Sequence, residues 1–129
     1  MCWSNYMAIP IILKKPLRVY KVGTTIFDNF ISLFQSCVYP RLKVMPTVAI
    51  KSEFTRHYPT ISLLSWLNDN FRIYKGYHSY LTKERAKCSR DKRDDIGIFE
   101  IPVGATIYVN YKRGEVVSTD IKYLGVLEE

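Results

Sequence analysis

The last third of the chain constrains the fold most, because it is built from short alternating segments that turn residues separate. In "IGIFEIP", residues 96–102, Phe99 and Ile101 fall on one side of an extended chain, and Ile98 and Glu100 fall on the other. Alternation of this kind, with β-branched and aromatic members, is typical of a half-buried strand. We therefore predict a strand over residues 96–102.

Turn residues divide the rest of this region. Pro102 and Gly104 redirect the chain into "TIYVN", and Arg113-Gly114 separates that run from "EVVSTD". Glycine and proline at such positions mark tight turns between strands. We predict a β-hairpin over residues 106–119 and a last strand in "DIKYLGVLE".

An earlier segment, "LRVYKV" at residues 17–22, alternates in the same way and predicts a strand that ends at Gly23. Its two faces would carry Leu17, Val19 and Lys21 on one side, and Arg18, Tyr20 and Val22 on the other.

Three segments predict helices. In "TTIFDNFISLFQSCVY", residues 24–39, apolar side chains recur at helix-like intervals, so we expect part of it to be helical. Residues 60–71, "TISLLSWLNDNF", have a similar pattern with a polar stop, and "KERAKCS" follows Thr82, a good N-cap residue. A chain of 129 residues that is 47% hydrophobic fits one domain with a packed core. We predict a single α+β domain over residues 1–129, mostly antiparallel sheet with two or three short helices.

The charge favours an anionic partner. The formal net charge is +7 and the pI is about 9.4, and such a surface attracts nucleic acid, anionic assemblies or acidic proteins. In residues 83–93, however, Glu84 and Asp91 interrupt the lysines and arginines, as in a solvated polar segment. We predict a protein partner and keep nucleic acid as an alternative.

The cysteines and histidines indicate neither a disulfide framework nor a metal site. Cys2, Cys37 and Cys88 have no paired spacing, so we expect a reducing compartment. His57 and His78 lack the neighbours of a zinc site, and we expect no cofactor. No apolar run is long enough to span a bilayer, so we predict a soluble intracellular protein without a membrane partner.

Three residues are candidates for catalysis. Removal of Met1 would leave Cys2 with a free amine that can act as base for its thiol. His78, in "GYHSY", could act as a general base, and Glu100 is a carboxylate on a half-buried strand. For His78 and Glu100 the competing interpretations are a satisfied structural histidine and an ion-pair partner.

The order of Arg18, Ser79 and Glu115 along the chain resembles that of the mono-ADP-ribosyltransferases. The resemblance implies that Arg18 anchors NAD and Glu115 completes the reaction. The Ser-Thr-Ser and Glu-x-Glu signatures of those enzymes are absent from this sequence, so the likeness is one of order only.

A second resemblance rests on short motifs. "MCW", "LRVYKV", "KGYHSY", "FEIPVGATIYVN" and "GEVVSTDIKYLG" together resemble a group of small proteins encoded by Bacteroidota and their phages, which share a GFHSY-like and an IPKGT-YY-like stretch. Residues 24–70 depart from that group. The group has no established activity. The resemblance therefore implies no mechanism, but it does imply a phage-associated setting, either in the cytoplasm of a host cell or in a virion.

These observations favour a non-catalytic interaction module that binds a protein or an anionic ligand. Its binding residues would be Arg18, Tyr77, His78 and Tyr80, because tyrosine and arginine are common in interfaces. The alternatives are a small enzyme that uses Cys2 or the transferase-like set, and a nucleic-acid-binding protein.

Overall fold

The computed structural model describes residues 9–32, 37–54, 71–91 and 93–128. In these ranges it contains eleven strands and one helix, with the following bounds: β1 Ile11–Ile12, β2 Leu17–Ile26, β3 Asn29–Ser32, β4 Val38–Pro40, β5 Lys51–Phe54, β6 Phe71–Lys75, β7 Tyr77–Tyr80, α1 Lys83–Ser89, β8 Asp95–Ile101, β9 Thr106–Asn110, β10 Glu115–Ser118 and β11 Lys122–Val126.

The predicted α+β class is wrong, because the described residues form mostly antiparallel sheet with one short helix. Much of the segment over residues 24–39 is extended: it contains the end of β2, then β3 and β4. Thr24, Thr25 and Ile26 are β-branched and favour strand geometry, which outweighs the helix-like spacing of the aromatic residues. The helix predicted over residues 60–71 lies almost wholly outside the described residues.

The other predicted elements are found. The strand expected over residues 96–102 is β8, the expected hairpin is β9 and β10, and the last strand is β11. The N-cap is confirmed, since the Thr82 hydroxyl accepts a hydrogen bond from Arg85 N–H at 3.3 Å. Gly23 does not end the first predicted strand, because β2 continues to Ile26.

Strand β2 holds the sheet together. One of its edges pairs with β8 from Leu17 to Gly23, and the other pairs with β7 through Tyr20 and Tyr80 and with β3 from Gly23 to Ile26. The strand order is β1-β9-β10-β7-β2-β3-β4. Strand β8 pairs with β2 outside this order, and β11 pairs with β8. Strands β5 and β6 pair with each other in a second, two-stranded sheet.

The segment after β4 closes one side of the sheet into a ring. Leu42 N–H donates to Tyr123 O at 2.8 Å, and Met45 N–H donates to Ile121 O at 2.9 Å. Strand β11 therefore contacts this segment and also pairs with β8, so β2, β3, β4, β11 and β8 surround a common interior. Closure of this kind covers strand edges that would otherwise be open.

Aromatic side chains fill that interior. The Phe99 ring lies with its centroid 5.2 Å from that of Phe30, 5.1 Å from Tyr39 and 5.1 Å from Tyr123. All four side chains are buried. The contacts of Phe99 with Phe30 and Tyr39 are edge-to-face, a favourable arrangement for aromatic rings.

Gly97 makes room for this cluster. A Cβ atom at position 97 would lie 2.7 Å from Phe99 Cε1 and 2.8 Å from Phe30 Cε2. Both rings are fully buried and cannot move aside without disturbing the packing.

We predict that Gly97→Ala destabilises the fold by about 1–3 kcal/mol, the usual cost of overpacking a core. Urea unfolding followed by circular dichroism would measure it. Val103→Ala, at an exposed turn position, is the control and should stay within about 0.5 kcal/mol of wild type. Equal stability of the two variants would contradict the packing argument.

Candidate functional site

Lys21 is buried in the core although it carries an amine. The alternation of β2 places it on the same face as Val19, and its exposed fraction is 5%. Strands β2 and β7 pair through Tyr20 and Tyr80, and the His78 carbonyl belongs to the residue two positions before Tyr80 on β7. The Lys21 ammonium donates a hydrogen bond to that carbonyl oxygen.

Two aromatic rings face the same amine. Lys21 Nζ lies 5.3 Å from the centroid of the Tyr39 ring and 5.9 Å from that of Phe99, within the range of a cation–π interaction. Burial lowers the pKa of Lys21 to about 8, because desolvation disfavours its charged form. Burial also raises the pKa values of the Tyr39 and Tyr77 hydroxyl groups, so neither one supplies a balancing charge near neutral pH.

His78 is half-buried, and its Nδ1 lies 3.1 Å from Gly76 O. Burial, followed by the charge of Lys21, lowers the pKa of His78 to about 4. The imidazole is therefore neutral at pH 7. Its pKa lies far below pH 7, whereas an efficient general acid or base has a pKa close to the pH at which it works.

Three of the four predicted binding residues share one face of the sheet. Tyr20 lies opposite Tyr80 across β2 and β7, and side chains two positions apart on a strand point the same way. Arg18 and His78 therefore lie on the face of Tyr20 and Tyr80. Tyr77 lies on the other face, where it is buried and its hydroxyl donates to Pro46 O at 2.6 Å.

The transferase-like set is divided between the two faces. Ser79 lies opposite Val116 on the core side, whereas Arg18 and Glu115 belong to the face of Tyr80. Glu115 Oε1 accepts from Arg113 Nε at 3.1 Å. The sheet backbone therefore stands between the Ser79 hydroxyl and the other two side chains.

The remaining candidates are Glu100 and Cys2. Glu100 lies in register between Arg18 on β2 and Lys122 on β11, and its ion-pair role stays a prediction. Cys2 lies outside the described residues. Within the described ranges, no group of three or more His, Cys, Asp or Glu side chains could hold a metal ion.

An exposed apolar surface lies on the β2–β3–β4 corner, and the sequence did not reveal it. In this corner Phe30 and Tyr39 face the core, so the alternate side chains face outward. The outward set also includes Thr24 and Asn29. We call its apolar members, with the tip of the turn, the hairpin face; it consists of Ile26, Phe27, Ile31, Val38 and Pro40. The sequence signal that could have indicated this corner is in "TTIFDNFIS": β-branched residues lie on both sides of "FD", the two residues of the turn between β2 and β3.

Comparisons with protein-family models, with curated proteins and with solved structures found no match, so the site rests on its own geometry. In the part of the chain that the structure describes, no helix combines the length and apolar character needed to cross a membrane.

We predict that Lys21→Met removes a rise in stability between pH 8 and pH 10. The folded-state pKa of Lys21 is lowered from 10.5 to about 8, so in this interval the unfolded chain binds more protons and wild-type stability increases with pH. Urea midpoints at pH 7, 8, 9 and 10 would show a slope that the variant lacks. Lys14→Met, at an exposed site, should keep the slope; a slope retained in Lys21→Met would contradict the assignment.

We predict that His78→Gln weakens the acid sensitivity of the fold. The folded-state pKa is lowered from 6.5 to about 4, so protons bind preferentially to the unfolded chain and stability falls as the pH drops from 6.5 to 4. Carboxylates titrate in the same range, so the test is the difference between wild type and variant at pH 6.5 and 4.5. Parallel curves would show that His78 does not contribute.

Proposed function

We propose that this protein is a non-catalytic interaction module that binds another protein through the hairpin face. The observation that carries the proposal is Phe27, whose side chain is 97% exposed at the tip of the β2–β3 turn. Ile26 and Val38 beside it are 47% and 48% exposed. Large apolar side chains grouped at the surface are typical of protein–protein contact sites.

The backbone at Phe27 supports the same proposal. Phe27 has φ of 55°, in the left-handed region, and it is the first residue of the two-residue turn between Ile26 and Asn29. Turns with positive φ at this position prefer glycine, and another residue costs about 1 kcal/mol. Because Phe27 is nearly fully exposed, packing within the described chain does not offset that cost. A contact with a partner would.

The surroundings of the hairpin face fit a protein partner better than a lipid or a small molecule. Apolar side chains predominate on it, with Asn29 in register between Ile26 and Pro40. The exposed residues Asp28, Arg41 and Lys43 lie next to it along the chain. A fully desolvated apolar centre inside a polar rim is the usual anatomy of a protein interface. The mixed charges of the rim favour a partner with both acidic and basic side chains.

The enzymatic alternative has less support. His78 is neutral at pH 7 with a strongly lowered pKa, and Ser79 is separated from Arg18 and Glu115 by the sheet. The phage-associated setting, in a virion or in the host cytoplasm, stays a prediction of the sequence resemblance.

We predict that Phe27→Gly separates stability from binding. Glycine accepts a φ of 55° without strain, so stability should be unchanged or higher by up to about 1 kcal/mol. Loss of the exposed ring should abolish the contact with the partner. Urea unfolding measures the first effect.

Site-specific crosslinking measures the second effect. A photo-crosslinking amino acid placed at position 38, in cells that produce the protein in its native setting, should give a discrete protein adduct that Phe27→Gly eliminates. The same crosslinker at position 103, another exposed valine site, is the control. Adducts of equal yield from both positions, or an adduct that persists in Phe27→Gly, would refute the proposal.

A further inference from the structure

Two tyrosines form a platform on the side of the sheet away from the aromatic core. Tyr20 and Tyr80 lie directly opposite each other on β2 and β7, which places their Cβ atoms about 5 Å apart. Both are half-buried, because they pack beside the apolar cluster of Val22, Ala86 and Ile96. Both residues nevertheless remain partly exposed to solvent.

Helix α1 and the β9–β10 turn bring cations to the edge of this platform. The Arg85 side chain lies across Gly114, where a Cβ atom would be 2.8 Å from Arg85 Cγ. Arg85 Nη2 donates to Lys112 O at 2.8 Å, which ties the helix to the turn. Strand β10 begins directly after this turn, with Glu115 in register with Tyr80.

Arg18 supplies a further cation, on the same strand as Tyr20. It is exposed, and it lies two positions before Tyr20 on the same face of β2. We call Arg18, Tyr20, Tyr80, Arg85 and Lys112 the tyrosine face.

The charge around the tyrosine face is positive. Besides Arg18, Arg85 and Lys112, it includes Arg113 and Lys122, and its carboxylates are Glu115, paired with Arg113, and Glu100, placed between Arg18 and Lys122. Five cations against two carboxylates leave a net attraction for phosphate groups.

We propose that the tyrosine face binds single-stranded nucleic acid. Adjacent tyrosines offer flat surfaces on which unpaired bases stack, and the neighbouring cations pair with the phosphates of the strand. A duplex hides its base faces and would use only the cations, so the single strand is the preferred ligand. This site shares no residue with the hairpin face, and it stands independently of the protein-binding proposal.

Fluorescence anisotropy of labelled dT20 tests the cations. In 50 mM salt, Arg18→Gln/Lys112→Gln should weaken binding at least tenfold and reduce the slope of log K against log salt by about 1 to 1.5, the share of two phosphate contacts. Lys51→Gln/Lys75→Gln removes the same charge from exposed residues that pair with each other on β5 and β6. Both belong to the two-stranded second sheet, which contributes no residue to the tyrosine face. This control should weaken binding less than threefold.

A second variant tests the stacking. Tyr20→Leu keeps an apolar side chain against the helix and removes the aromatic ring, so it should weaken dT20 binding about tenfold and leave binding of a 20-base-pair duplex unchanged. Thermal unfolding checks that this variant folds. No binding of dT20 at 50 mM salt, equal losses in the two charge variants, or a Tyr20→Leu variant that binds dT20 like wild type would each overturn the proposal.

Discussion

Strand β2 pairs with β8 over its whole first part, and the rest of the main sheet is attached to this pair. The pairing places Val19 opposite Phe99, and Phe99 in turn contacts Phe30, Tyr39 and Tyr123. Strands β3 and β4 contribute Phe30 and Tyr39 to this aromatic core, and β11 contributes Tyr123. A change in the β2–β8 register by one residue would turn Phe99 outward and remove the centre of the core.

Because β2 is longer than any one partner on its other edge, two partners share that edge. This edge of β2 pairs with β7 at Tyr20 and with β3 from Gly23 onward. Lys21 lies between these two pairings, and its ammonium donates a hydrogen bond to the His78 carbonyl on β7. The topology thus provides the buried amine with a hydrogen-bond acceptor, and its pKa is lowered because burial disfavours the charged form.

The sequence predicted those parts of the fold in which local preference and tertiary packing agree. Thr82 caps α1 because its hydroxyl satisfies Arg85 N–H, an interaction confined to four residues. The β9–β10 hairpin is equally local. In the corner from Thr24 to Tyr39 the same aromatic spacing fits a helix or two strands, and only the partners on β2 and β8 decide between them. Pairing with distant strands cannot be predicted from the residues of the segment alone.

The candidate sites were predicted unevenly for a related reason. Alternation in "LRVYKV" correctly placed Lys21 with Val19 and Arg18 with Tyr20, since side-chain parity is a local property. It could not show that Tyr80 lies opposite Tyr20, because β2 and β7 are joined at a single residue pair. That pair places Arg18 and Tyr80 on a common face. Tyr77 is three residues from Tyr80 on the same strand, so it lies on the opposite face, in the core. Strand β2 therefore carries the buried Lys21 on one side of the sheet, and Arg18 and Tyr20 of the tyrosine face on the other. The two groups are separated because successive side chains of a strand point to opposite sides.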